Sequence, residues 1–137
     1  MLMAELATAV KYQLPIKVVV IKNNTLGMIK WEQIVLEGNP HYGVSLQPID
    51  FAAIARACGA SGFALTEATD AEAVLREAFD TPGPALVEAL IDPNEPPMPG
   101  KVNTQQALKF TEAMLRGDKD AWKIIKTVMK DQIREVV

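Results

Sequence analysis

Apolar and polar positions change rhythm several times along this chain, and each change marks an element. Leu2, Leu6 and Val10, with Ala4, Ala7 and Ala9, recur at helical spacing to about Gln13, and Pro15 blocks further extension. Ile16 to Ile21 is apolar on both faces, which predicts a buried strand. Asn23-Asn24-Thr25 interrupts it, and an amphipathic helix is expected from about Gly27 to Glu37 with Gly38 as its stop. Pro48 and Asp50 open a further helix that ends at Gly59, and Gly62 to Thr66 reads as a short strand. Thr69 with Glu72 has the spacing of a capping box before a helix to about Asp80. Thr81-Pro82-Gly83-Pro84 is a turn, and Ala85 to Ile91 is a strand.

Strands alternating with short helices call for a parallel sheet, so the expected fold is α/β, a partial doubly wound parallel sheet followed by C-terminal helices. The rhythm changes again after Asp92. Pro93, Pro96, Pro97 and Pro99 read as a restricted, extended linker over 93–102. Asn103 with Gln106 can cap a helix to Arg116, Gly117 ends it, and Asp118 opens a last helix to about Glu135. On that helix Trp122, Ile125, Met129, Ile133 and Val136 form an apolar stripe with Ile124 and Val128 beside it, flanked by Lys119, Lys123, Lys126, Lys130 and Arg134. A basic amphipathic helix can rest on a membrane surface. Here Asp118, Asp120, Asp131 and Glu135 dilute the charge, so packing against protein is the preferred reading.

Composition narrows the function classes. The chain has 137 residues, 49% hydrophobic and 23% charged, as expected of one globular domain with a real core. A net charge of −3 gives no electrostatic reason to expect nucleic acid. One cysteine, Cys58, excludes an internal disulfide, is consistent with a cytoplasmic setting, and reads as a buried thiol in the apolar run Phe51 to Cys58. One histidine, His41, reads as a surface loop residue, and a zinc site built from one His and one Cys is not expected. No apolar run reaches the roughly 20 residues of a membrane helix.

The candidate chemistry lies at Asn23-Asn24-Thr25 and the helix behind it. In an open parallel sheet, ligands bind at the carboxyl edge of the strands. An Asn amide oxygen and a backbone carbonyl are hard donors suited to magnesium, which takes few protein ligands and completes its octahedron with water and substrate phosphates. The helix start at Gly27 could add N–H donors to a diphosphate. The plain alternative is a turn, because Asn tolerates left-handed backbone and bonds its own main chain.

Lys22-Asn23-Asn24-Thr25-Leu26-Gly27-Met28-Ile29-Lys30-Trp31-Glu32-Gln33 resembles the end of the diphosphate-binding motif of thiamine-diphosphate enzymes, in the group of pyruvate oxidase, pyruvate:quinone dehydrogenase and acetolactate synthase. The resemblance extends through Asp50-Phe51-Ala52 and Gly59-Ala60 to Pro84-Ala85-Leu86-Val87-Glu88. Asp92-Pro93-Asn94-Glu95-Pro96-Pro97 and the closing helices look most like the oxidase and quinone dehydrogenase branch. That motif opens with Gly-Asp-Gly and closes at an Asn. The Asp, the Asn side chain and a backbone carbonyl two residues beyond hold Mg2+. Anchored on Gly27, the resemblance implies Asn23 and the Thr25 carbonyl as metal ligands; a register with Asn24 as ligand fits the Gly spacing worse. It implies Gly27, Met28 and Ile29 against thiamine diphosphate and Glu32 as the catalytic carboxylate. Acetolactate synthases usually carry Trp at the position matching Glu32, and the oxidase branch carries Glu. Trp31, one position off, faces about 100° away on a helix.

Gly-Asp-Gly itself is absent, as are the middle domain and the pyrimidine-binding domain whose Glu activates the cofactor in relatives. The resemblance therefore implies that 1–92 is the C-terminal portion of a thiamine-diphosphate domain and 103–137 a helical extension. The whole would belong to a longer enzyme that decarboxylates a 2-keto acid such as pyruvate, and would be inactive alone. FAD, where the whole enzyme uses it, would not be bound by this segment. The implied partners are the missing N-terminal domains or subunit and further copies of the chain, because the truncated sheet leaves an exposed edge. Two alternatives stand beside this reading: an acetolactate synthase-type carboligase, disfavoured by Glu32, and a non-catalytic oligomerisation module.

Overall fold

The computed structural model describes residues 3–95 and 104–127, and the chain divides into two compact units. The first consists of Met1–Asn23 and Pro48–Ile91, the second of Asn24–Gln47 and Asp92–Val137. Residues 24–47 thus group with the C-terminal stretch.

In the first unit, β1 (Lys17–Lys22), β2 (Ser61–Leu65) and β3 (Ala85–Leu90) form an all-parallel sheet in the order β1-β3-β2. Lys17 to Lys22 pair with Ala85 to Leu90, and Ser61 to Leu65 pair with Ala85 to Ala89, so β3 is the central strand. Ala85, Leu86, Val87 and Ala89 are all buried, the apolar run on both faces that a central parallel strand requires. α1 (Glu5–Lys11) precedes β1, and α3 (Phe51–Ala57) and α4 (Ala71–Asp80) run between the strands. One face of the sheet packs Val18, Val20 and Leu86 against Leu6 and Val10 of α1 and Phe51 and Ala55 of α3. α4 packs against β2 and β3.

The expected burial of β1 is corrected. Val19 is 44% and Ile21 62% exposed, because β1 lies at the sheet edge and α4 packs chiefly on the other two strands. The exposed edge anticipated from the sequence is therefore β1 itself.

Local chemistry explains the element ends. Asp50 caps α3, its carboxylate accepting the Ala53 N–H at 2.6 Å, as the Pro48/Asp50 signal predicts. The Thr69/Glu72 capping box does not form. A 3-10 turn over Ala68–Asp70 precedes α4, Asp70 takes the cap position without a side-chain bond, and the Thr69 hydroxyl leans toward Asp70. Glu88 on β3 binds the same N-terminal end of α3. It accepts the N–H groups of Phe51 and Ala52 and the ammonium of Lys22. Burial would raise its carboxyl, but the Lys22 hydrogen bond, the two backbone donors and the Lys22 charge outweigh it and hold the group below its ordinary value. Gly62 permits close approach of α3 to β2: a Cβ there would lie 2.1 Å from the Ala52 carbonyl oxygen. Cys58, expected to be buried, is half-buried.

The second unit is helical. α2 (Gly27–Trp31) continues as a π-helical segment (Glu32–Glu37), followed much later by α5 (Thr104–Leu115) and by α6, residues 121–127. Gly38 adopts φ +71 and the Asn39 N–H returns to the Gln33 carbonyl, the left-handed helix stop expected at that glycine. Ile34 and Val35 pack with Ala113 of α5 and Ile124 of α6, and Trp31 and Phe110 close the cluster. The inward face of α6 is therefore Ala121 and Ile124, while Trp122 of the apolar stripe is 71% exposed. Met129, Ile133 and Val136, the Asn103 cap and most of the 93–102 linker lie outside the described residues.

Candidate functional site

The turn after β1 is bound tightly to a distant loop of its own unit. Asn24 sits at φ +55, in the left-handed region that Asn enters more readily than most residues. Its carbonyl accepts the Leu46 N–H at 2.9 Å. The Val44 carbonyl takes two donors, the Leu26 N–H at 2.8 Å and the Thr25 hydroxyl at 3.1 Å. Thr25 and Ser45 form an antiparallel bridge, and Val44 is buried. The two residues proposed as metal ligands thus fall on either side of a left-handed Asn. Asn23 is half-buried just past β1, and Thr25 is half-buried in the second unit.

α2 separates its faces sharply. Met28 and Ile29 are 49% and 44% exposed, and Glu32 is exposed one turn beyond Met28. Trp31 turns the other way and packs on the Ile34–Val35 cluster. Lys30 also turns inward and is 5% exposed. Glu32 and Trp31 therefore occupy different environments, as a one-position offset on a helix dictates.

Lys30 is the centre of a polar network. Its ammonium donates to Asp120 Oδ2 at 2.7 Å and to Asn94 Oδ1 at 3.1 Å. Asp120 also accepts from Lys123 at 2.9 Å, and His41 Nε2 lies 3.8 Å from Asp120 Oδ2. Burial would raise the Asp120 carboxyl, but the hydrogen bonds and charges of Lys30 and Lys123 outweigh it and hold it at about 2. Asp118 uses both carboxylate oxygens. Oδ1 accepts the N–H groups of Asp120 and Ala121 at 2.9 Å each, capping α6. Oδ2 accepts the His41 N–H at 2.9 Å and meets His41 Nδ1 at 2.8 Å. Burial opposes ionisation of Asp118 as well, yet the His41 and Asp120 backbone donors and the His41 ring hold its carboxyl below the ordinary value. Gln33 fixes the same loop from another side, donating to the Tyr42 carbonyl at 3.2 Å and accepting the Tyr42 N–H at 2.9 Å. His41, read from the sequence as a surface loop residue, is thus largely enclosed, its side chain 20% exposed.

Among the described residues, no group of three or more His, Cys, Asp or Glu could hold a metal ion. What the turn offers instead is neutral oxygen, the Asn23 amide and main-chain carbonyls. That donor chemistry fits an ion which, like magnesium, takes most of its ligands from water and phosphate. Among the described residues, no helix is long and apolar enough to cross a membrane.

An all-parallel three-stranded sheet with helices packed on it is an α/β fold. Residues 1–89 match the thiamine pyrophosphate enzyme, C-terminal TPP binding domain, and the chain belongs to that family. It is 46% identical over 116 residues to YdaP of Bacillus subtilis (strain 168), whose name describes it as thiamine pyrophosphate-containing; the match covers 85% of this chain and 20% of YdaP. It is 36% identical over 109 residues to the acetolactate synthase large subunit of Pyropia yezoensis, covering 75% of this chain and 18% of that one. The acetolactate synthase isozyme 1 large subunit of Escherichia coli (strain K12) is 33% identical over 106 residues, covering 74% and 19%. The chain thus spans about a fifth of the length of these curated relatives.

Proposed function

We propose that this chain supplies the metal- and diphosphate-binding side of a thiamine-diphosphate- and magnesium-dependent enzyme that decarboxylates a 2-keto acid such as pyruvate, of the oxidase or quinone dehydrogenase type. Bound thiamine diphosphate would supply the carbon nucleophile and electron sink that decarboxylation needs. The chain's own residues bind and orient. Asn23 and the Thr25 carbonyl would hold Mg2+, the start of α2 at Gly27 would face the diphosphate, and Met28 and Ile29 would give the cofactor an apolar wall. Glu32 would act as an acid–base or electrostatic group at the substrate. The rest of the enclosure, including the carboxylate that completes the metal's ligands, would come from another segment or subunit.

The observation that carries this reading is the division of α2. Met28, Ile29 and Glu32 stand uncovered on its outer side, while Trp31 and Lys30 are committed to the core and its polar network. An exposed apolar pair followed one turn later by a carboxylate is what a cofactor wall with a catalytic acid requires. A second reading, carboligation of the acetolactate synthase type, is supported by the relatives of that name.

Calorimetric titration of the whole enzyme that contains this chain, with thiamine diphosphate in magnesium, tests the cofactor assignment. Asn23→Ala is expected to weaken magnesium-dependent binding by about tenfold or more. Asn24→Gly, which tolerates the left-handed backbone, is expected to change it much less. Unchanged binding in Asn23→Ala, or a larger effect at Asn24, would refute the assignment. Product analysis with pyruvate in the whole enzyme separates the two chemistries, acetate or acetyl phosphate for the first and acetolactate for the second.

A further inference from the structure

The cofactor turn is bonded to a loop well downstream of it. Each bond that fixes Asn24, Thr25 and Leu26 to the loop ends on residues Val44 to Leu46. That loop is secured at its near end by two clamps. Gln33 bonds both main-chain groups of Tyr42. Asp118, 77 residues away along the chain, holds the main-chain N–H and ring of His41 with a single oxygen. The side chain of Asp118 is fully buried, and its other oxygen caps α6.

We infer that Asp118 is a positioning residue for the cofactor turn. By seizing His41 it sets where Val44 to Leu46 lie, and these set the backbone at Asn24, Thr25 and Leu26. This rests on the proposed function in one respect, that the turn serves magnesium and diphosphate. The link itself is a matter of hydrogen bonds within the second unit. The apparent redundancy of the carboxylate is the key to its role. A helix cap needs one acceptor oxygen, and Ser, Asn and Asp supply it about equally well. Asp118 has a second oxygen that the cap does not use, and that oxygen is spent on the loop. Asp120 sits beside it and pairs with Lys30, so the α6 end of the unit grips both the helix after the turn and the loop that holds the turn.

Asp118→Ser separates the two roles, because the serine hydroxyl can cap α6 but is too short to reach His41. Amide hydrogen exchange on the full chain reads the turn directly at the Leu26 and Leu46 N–H groups, whose acceptors are the Val44 and Asn24 carbonyls. Both should exchange about tenfold faster or more in Asp118→Ser. The Ile124 N–H in α6, bonded to the Asp120 carbonyl, and the amides of β3 should be unchanged. Gln33→Leu, which releases Tyr42 without touching α6, should speed the same two amides. Titration with thiamine diphosphate and magnesium should show weaker binding in both variants, and Asp118→Glu should recover more of it than Asp118→Ser. Unchanged exchange at Leu26 and Leu46 in Asp118→Ser with α6 intact would overturn the inference, as would faster exchange with undiminished cofactor affinity. If the whole enzyme fails to bind cofactor, the proposed function falls, and the exchange data still decide whether Asp118 orders the turn.

Discussion

Lys30→Met removes the cation at the centre of the polar network while leaving an apolar stem of similar length to fill its place. Lys30 is 5% exposed, and its ammonium serves Asp120 and Asn94. Asp120 is held at about 2 against an ordinary 3.8, with desolvation opposing and Lys30 the first of the groups that overcome it. At about 1.4 kcal/mol for each tenfold change, that difference is about 2 kcal/mol of folding stability. Lys123 also contributes and survives the substitution, so the loss lies between about 1 and 2 kcal/mol at neutral pH. The sign follows from a depressed carboxyl: the contribution is complete above pH 3.8 and disappears as pH falls toward 2. Roughly half of it should remain at pH 3. Urea unfolding of both proteins at pH 7, 5, 4 and 3 measures this. The variant should be less stable at pH 7 and 5, and the gap should narrow by pH 3. Lys30→Met with Asp120→Leu should recover part of the loss, because a buried pair replaced as a whole costs less than one broken. A gap that stays constant from pH 7 to pH 3, or a variant as stable as the parent at pH 7, would refute the account.

Gly62→Ala places a methyl group 2.1 Å from the Ala52 carbonyl oxygen and 2.9 Å from its carbon, so α3 must move off β2. Overpacking of backbone on backbone should cost about 3 kcal/mol, read as a lowered urea midpoint; a midpoint equal to the parent's would contradict the close approach. The uncovered edge and outer face of β1, with Val19 and Ile21, should drive self-association at micromolar concentration. Sedimentation velocity should find a dimer or larger species, and charging the strand with Ile21→Lys should dissolve it; a monomer at all concentrations would show that the edge is not used between copies.

The parallel α/β architecture was readable because it depends on short-range signals: apolar runs for β1, β2 and β3, Asp50 as a cap, Gly38 as a stop, Asp118 at the start of α6. Where a local signal met tertiary competition it misled. The Thr69/Glu72 spacing is that of a capping box, but the 3-10 turn carries Thr69 away from the cap position. β1 is apolar enough to be central, yet strand order is decided by pairing, and β3 took the middle. The motif Asn23 to Glu32 was legible as a resemblance. Its supports were not, because Lys30 and Asp120 are 90 residues apart and His41 and Asp118 are 77 apart, and nothing in composition or periodicity links such positions. A lone buried-face Lys on an otherwise apolar helix side, with Asp118 and Asp120 far downstream, was the available hint.

Those separations also fix an order of events during synthesis. Lys30, Ile34 and His41 leave the ribosome well before the segment that neutralises and covers them. At roughly 5–20 residues per second, the 77 residues between His41 and Asp118 take about 4–15 s to add. The first unit meets no such delay beyond Leu90, so its sheet can close while the stretch 24–47 still carries a bare ammonium and uncovered Ile34 and Val35. The turn from Asn24 to Leu26 is thus translated early and finished late, and a nascent chain stalled before Asp118 would be the species that chaperones meet.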